Sequence, residues 1–253
     1  MGILAGLSVP ALKNLGKSNI QVSAGRQMLD DIGHARQLAI SHHTTVYMVF
    51  VPEYFWNTSS GTFNTTWWNS LSAVDRLAVT NVLDKQLTGY TFVSLRSVGD
   101  QPGQSFAKYL SEWKALPDGA FIATNKFNTP YSVITDYSLN AAYPVYQFNY
   151  ANSFPFPSET NAVTVATPVL PYIAFNYLGQ LTVDGLTLAP RDEYIPLAQG
   201  NVFYAADPTT KALQLSAPDA TENPLGNSTN SMFNVIRIDR LTGRAIQLQQ
   251  KVQ

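Results

Sequence analysis

The opening forty residues constrain this chain more than any other stretch. Gly2-Ile-Leu-Ala-Gly-Leu-Ser-Val-Pro-Ala-Leu12 carries no charge before Lys13, and Asn14 to His43 continues as a polar and apolar mixture with no lasting helix stop. An apolar segment joined directly to an amphipathic helix predicts a chain that inserts its beginning into something and hangs a globular body from it. From Ser18 onward Val22, Leu29, Ile32, Ala35 and Ala39 recur near one face and are predicted to pack helix on sheet. Gly25 and Gly33 each cost about 1 kcal/mol relative to Ala in a helix, so packing must hold it, and both are expected to admit a close neighbour. The helix is expected to end near His42, where His42 and His43 suit the negative pole of the helix dipole. Thr44-Thr-Val-Tyr-Met-Val-Phe-Val51 is β-branched and aromatic and reads as the first strand.

The apolar run lacks the basic start and small-residue cleavage site of a signal peptide. It is also roughly half as long as the ~20 residues that a membrane helix needs. Two readings stay open: a buried N-terminal helix of a soluble domain, or the end of a longer membrane helix. Pro10 favours the second, because a proline inside a helix removes one hydrogen bond, which membrane helices tolerate more readily than soluble ones.

The run Gly-Ile-Leu-Ala-Gly-Leu-Ser-Val-Pro-Ala, the helix containing Asp31-Ile-Gly-His-Ala-Arg-Gln-Leu-Ala-Ile40 and the strand after it resemble the type IV pilin superfamily. Within it the H-type minor pseudopilins of type II secretion are the most similar. In that family the segment matched by Ala35, Arg36, Ala39 and Ile40 ends the helix that packs on the first strand, and Pro10 matches the proline of the membrane helix. The resemblance implies a non-enzymatic structural subunit of a type IV pilus-like or type II secretion filament. It implies a bacterial envelope location, residence in the inner membrane before assembly, and other pilin or pseudopilin subunits as partners. The family's basic leader, processing site and early glutamate have no counterpart in these residues, so leader cleavage and N-methylation come from the resemblance alone.

The fold class expected is α+β: a long N-terminal helix on an antiparallel sheet, pilin-like, with a helix-containing insertion. Residues 1–17 are read as an apolar helix stub and 18–253 as one globular domain, comprising helix 18–43 and a β-rich body over 44–253. The insertion spans about 52–88 and carries a predicted helix over 70–83, with Leu71, Val74, Leu77, Ala78 and Val82 at helical steps. Tyr90–Val98 reads as a second strand after Gly89, a helix cap or turn. Leu116-Pro-Asp-Gly119 is a turn, and Pro171–Phe175 and Gln180–Val183 form a hairpin about Asn176–Gly179. Asn234–Asp239 and Arg244–Leu248 form another, with Gly243 supplying a positive φ and Ile236 and Ile238 expected opposite Ile246 and Leu248. This C-terminal hairpin too resembles the H-type sheet.

Composition removes several function classes. Charged residues are 13% of the chain, the net charge is −1, and Cys is absent. No basic field exists to attract nucleic acid, and disulfides, thiolate metal sites and Cys nucleophiles are excluded. The three histidines, His34, His42 and His43, sit on or just past one helix. His34 with Asp30 and Asp31 falls short of the ligand set and spacing of a zinc site, and a solvated helix face is expected there. Asp100, Asp192 and Glu193 read as loop carboxylates without partners. No nucleophile elbow, phosphate loop or dinucleotide fingerprint is present, so neither a catalyst nor a cofactor is predicted. Assembly is assigned to Ile3, Leu4, Leu7, Val9, Pro10 and Leu12. The alternative function is a surface or filament-tip binding module that holds glycan or secreted cargo on Trp56, Trp67 and Trp68. Burial of those rings, pinning a long loop to the body, is the expectation preferred here.

Overall fold

The computed structural model describes residues 3–58, 61–96, 106–136, 141–228 and 234–249, with the side chains of 3–19, 136, 141 and 249 outside that description. One helix, α1 (Ile3–Ser41, 39 residues), opens the chain. It runs through Pro10 without a break in assignment and closes on His43, whose φ of +47° is left-handed. The Thr44 amide returns to the Ala39 carbonyl at 3.2 Å, and His42 bonds the Leu38 carbonyl at 2.9 Å. His43 therefore caps through its backbone geometry.

After β1 (Val46–Phe50) come α2 (Thr65–Ser70), α3 (Ala73–Thr80) and β2 (Gly89–Ser94). Short strands β3 (Lys108–Tyr109), β4 (Lys114–Ala115) and β5 (Ala120–Ile122) lead to the one-turn α4 (Asn125–Asn128), then β6 (Tyr131–Asp136) and β7 (Ala141–Tyr146). The chain finishes with β8 (Tyr172–Phe175), β9 (Leu181–Thr182), β10 (Glu193–Phe203), β11 (Asp219–Glu222), β12 (Asn234–Ile238) and β13 (Ala245–Gln249). Every described pairing is antiparallel. One sheet has the order β3-β2-β1-β8-β9 with β4 also on β2; a second has β11-β10-β12-β13 with β5 also on β10; β6 and β7 pair separately. The α+β expectation of an N-terminal helix on antiparallel sheet holds at that level.

All five residues of β1 are buried, as an uninterrupted apolar run in a central strand requires. Val46, Met48 and Phe50 face a core shared with α1 and the second sheet, where Phe121, Ile122, Ile195, Leu197, Ile236 and Ile238 join them. Tyr47, Val49 and Val51 face an outer core built by the insertion and by Phe154, Phe156 and Leu170. The first sheet is thus covered on both faces.

The helical expectation over 70–83 is corrected. Asn64 caps α2 by accepting from the Trp67 amide at 3.0 Å, and Ser72 starts α3 with a reciprocal capping box to Asp75. Leu71 ends the first helix because its own backbone is extended, and Ser72, extended as well, opens the second. Val74 and Leu77 turn outward and Val79 inward. Gly89 begins β2 and does not cap a helix. The C-terminal register also differs: Ile236 faces Gln247, Ile238 faces Ala245, and Ile246 faces Arg237. The Asp239 amide pairs with the Arg244 carbonyl at 3.0 Å, so four residues turn the corner and Ile246 falls on the outer side.

Candidate functional site

The seam between α1 and the body is where the helix residues expected to pack on the sheet meet it. Its buried stripe is Ala24, Gly25, Met28, Asp31, Ile32, Ala35 and Ala39. Ile32, Ala35 and Ala39 of the predicted face belong to it; Leu29 packs at the edge, and Val22 lies half-buried on the rim. Alanines and a glycine let the helix approach closely, and a Cβ on Gly25 would fall 2.5 Å from Gln247 Oε1. Gly33 faces open space, which corrects the expectation that it admits a neighbour. Arg36 reaches the C-terminal hairpin, donating from Nε to the Thr242 carbonyl at 2.7 Å. Gly243 lies beneath it at φ +61°, and a Cβ there would meet the Gly179 carbonyl oxygen at 1.9 Å. Glycine is obligatory at that position.

A polar clamp supplements the apolar seam. Asp31 on α1 receives Lys114 Nζ from β4 at 2.5 Å and the Tyr90 hydroxyl from β2 at 2.5 Å. One turn earlier, Gln27 donates to the Tyr90 oxygen at 2.9 Å and to the Ala115 carbonyl at 2.8 Å. Burial and the adjacent carboxylate push the Tyr90 phenol well up. His34 turns its edge to Phe92, 5.5 Å between ring centres. Asp31 thus serves an ion pair, and among the described residues no group of three potential metal ligands exists.

The carboxylates of the Asp192-Glu193 pair have partners, contrary to expectation. Arg237 grips Asp192 through Nε at 2.9 Å and Nη2 at 2.6 Å. Glu193 pairs with Lys126, which is fully buried, donates also to the Tyr146 carbonyl at 2.6 Å and lies 4.7 Å from the Phe148 ring centre. Desolvation lowers the Lys126 pKa, and Glu193 opposes that shift. No sequence signal marked this lysine, because its setting depends on strands far along the chain. Asp100 lies outside the described residues.

Of the aromatic patch, Trp56 and Trp67 are only 3% and 2% exposed. Phe156 packs between Phe55, Trp67 and Trp113, with centroids 5.3, 5.8 and 5.9 Å away. Trp68 is half-buried, and the Arg76 guanidinium sits 5.5 Å from its ring centre. These three tryptophans therefore do not make an open stacking surface. They anchor the insertion to the outer face of the sheet by apolar burial. What the insertion does open is a cleft of about 820 Å³ between its own start, the Phe127–Asn128 turn, Gln147 to Tyr150 and the 165–169 loop. Glu53 is its sole charged lining residue, and burial raises the Glu53 pKa.

The side chains of Ile3, Leu4, Leu7, Val9, Pro10 and Leu12 lie outside the described residues; their backbone is helical. Among the described residues no helix is long and apolar enough to cross a membrane. No family model matches this chain, and neither a curated protein nor a solved structure does.

Proposed function

We propose that this protein is a non-enzymatic, pilin-like subunit that assembles into a type IV pilus-like or type II secretion filament through the first half of α1. The observation that carries the reading is the single 39-residue helix Ile3–Ser41, of which Ala24, Met28, Ile32, Ala35 and Ala39 pack on the body while the uncharged run Ile3–Leu12 forms its other end. At 1.5 Å per residue, the turns before Ile20 add about 25 Å of helix carrying the uncharged run Ile3–Leu12. A bundle of such segments buries apolar area worth about 25 cal/mol per Å². Head-to-tail contacts of this kind do not close on themselves, so they propagate a filament. The Ala35, Arg36, Ala39 and Ile40 segment, which carries the sequence resemblance, supports the reading from the other end, since Ala35 and Ala39 pack on the sheet and Arg36 holds the last hairpin. On this proposal the partners are other pilin or pseudopilin subunits, and the inner membrane holds the helix before assembly in a bacterial envelope.

The chain contains no cysteine, which makes the test direct. Single Leu7→Cys and Leu12→Cys substitutions are expected to give intersubunit disulfides under mild oxidation. Gln37→Cys, exposed on the packed half of the same helix, is not. Cross-linking equal at all three positions, or absent from the first two, would refute the assignment.

A further inference from the structure

We infer that the cleft beside the insertion binds a neutral oligosaccharide, with Glu53 as the central hydrogen-bond acceptor. The inference is independent of the filament reading. The cleft, about 820 Å³, lies within the range typical of small-ligand sites. Glu53 is half-buried, receives no side-chain hydrogen bond or ion pair among the described residues, and its raised pKa has burial as its cause with no cation offsetting it. Such a carboxylate, without a protein donor among the described residues, is free to accept from a ligand hydroxyl in the cleft.

The rest of the lining selects among donors. Asn57 and Gln147 have side-chain amides with no bond to the described residues, and the Asn128 NH₂ is likewise uncommitted, its oxygen accepting from Thr129 at 3.1 Å. These amides offer donors as well as acceptors, which suits a ligand whose groups do both. Hydroxyls do; an ammonium only donates and a carboxylate only accepts. Tyr54, 52% exposed, supplies ring surface for the apolar face of a pyranose, while Phe127, 6% exposed, backs the cleft from the core. Glu53 disfavours uronic acids by like charge, and the competing amide donors make a poor ammonium cage. The buried tryptophans of the same insertion thus hold the frame, and the residues around them form the site.

The test uses the whole chain and a panel of cellobiose, maltose, lactose, N,N'-diacetylchitobiose, digalacturonate and tetramethylammonium, followed by saturation-transfer NMR and calorimetry. At least one neutral disaccharide is expected to bind saturably, with digalacturonate and tetramethylammonium weaker. Glu53→Gln keeps the shape and removes the charge, and is expected to weaken binding about tenfold, the loss of one charge-assisted hydrogen bond. Asn128→Ala, at an exposed position, is expected to weaken it several-fold with thermal stability unchanged. The inference is overturned if no neutral disaccharide binds. It is also overturned if both variants bind as tightly as the parent, or if tetramethylammonium binds best and is lost in Glu53→Gln.

Discussion

Removing the charge of Asp31 probes how α1 is held. The carboxylate joins three elements, with Lys114 and Tyr90 each 2.5 Å away, and Asp31 and Lys114 side chains 11% and 36% exposed. Breaking a fully buried pair costs about 3–5 kcal/mol. Lys114 keeps a third of its surface in water, so Asp31→Asn strands a cation that can rehydrate, and the expected cost is about 2 kcal/mol. Lys114→Met strands the carboxylate instead, with the Tyr90 hydroxyl as its remaining partner, and should cost about 3 kcal/mol. Tyr90→Phe leaves the ion pair intact and should cost about 1 kcal/mol. The double variant Asp31→Asn/Lys114→Met removes both charges together, so its cost should fall short of the sum by at least about 1 kcal/mol. Urea unfolding followed by tryptophan fluorescence and circular dichroism measures all four. An Asp31→Asn variant within about 0.5 kcal/mol of the parent, or strict additivity, would mean that the clamp contributes nothing beyond a solvated surface pair.

Other substitutions separate the causes of stability. Gly243→Ala should cost several kcal/mol, about 3 or more, because the new methyl meets the Gly179 carbonyl at 1.9 Å, whereas Gly33→Ala should stabilise by about 0.5–1 kcal/mol; equal thermal shifts would contradict both. Trp67→Ala should cost about 3–5 kcal/mol and loosen the insertion to limited proteolysis, whereas the outward Leu77→Ala should cost little. Lys126 gives a pH signature. Its folded pKa is lowered, so between that lowered value and the ordinary lysine value the unfolded chain holds the proton more tightly, and over that window stability should rise with pH until the tyrosines ionise near about 10. In Lys126→Met that rise should disappear, as parallel urea titrations from pH 7 to about 9.5 will show.

Much of this was legible from local pattern. The Ile32, Ala35 and Ala39 stripe, the first strand and the Asn176–Gly179 turn follow from spacing and residue type. The stripe was read too far round at Val22, because Ala24 and Met28 look unremarkable until Gly25 and the C-terminal hairpin bring the second sheet against them. The break at Ser72 was present in the sequence as a Ser-x-x-Asp capping box, but the apolar steps of Leu71, Val74 and Leu77 concealed it. Lys126, Asp192 and Glu193 gave no signal, since their partners come from distant segments. The cleft gave none either. Four separate pieces of chain build it, and nothing in any one of them has a period to read.

The central claim concerns the first turns of α1. We expect the full chain, transferred from detergent to buffer, to form elongated particles by electron microscopy and to sediment as a polydisperse species. A chain beginning at Ser18 should keep the same unfolding midpoint and sediment as a single monomer. If the full chain remains a monomer in buffer, or the shortened one assembles equally well, filament formation through the N-terminal helix is contradicted.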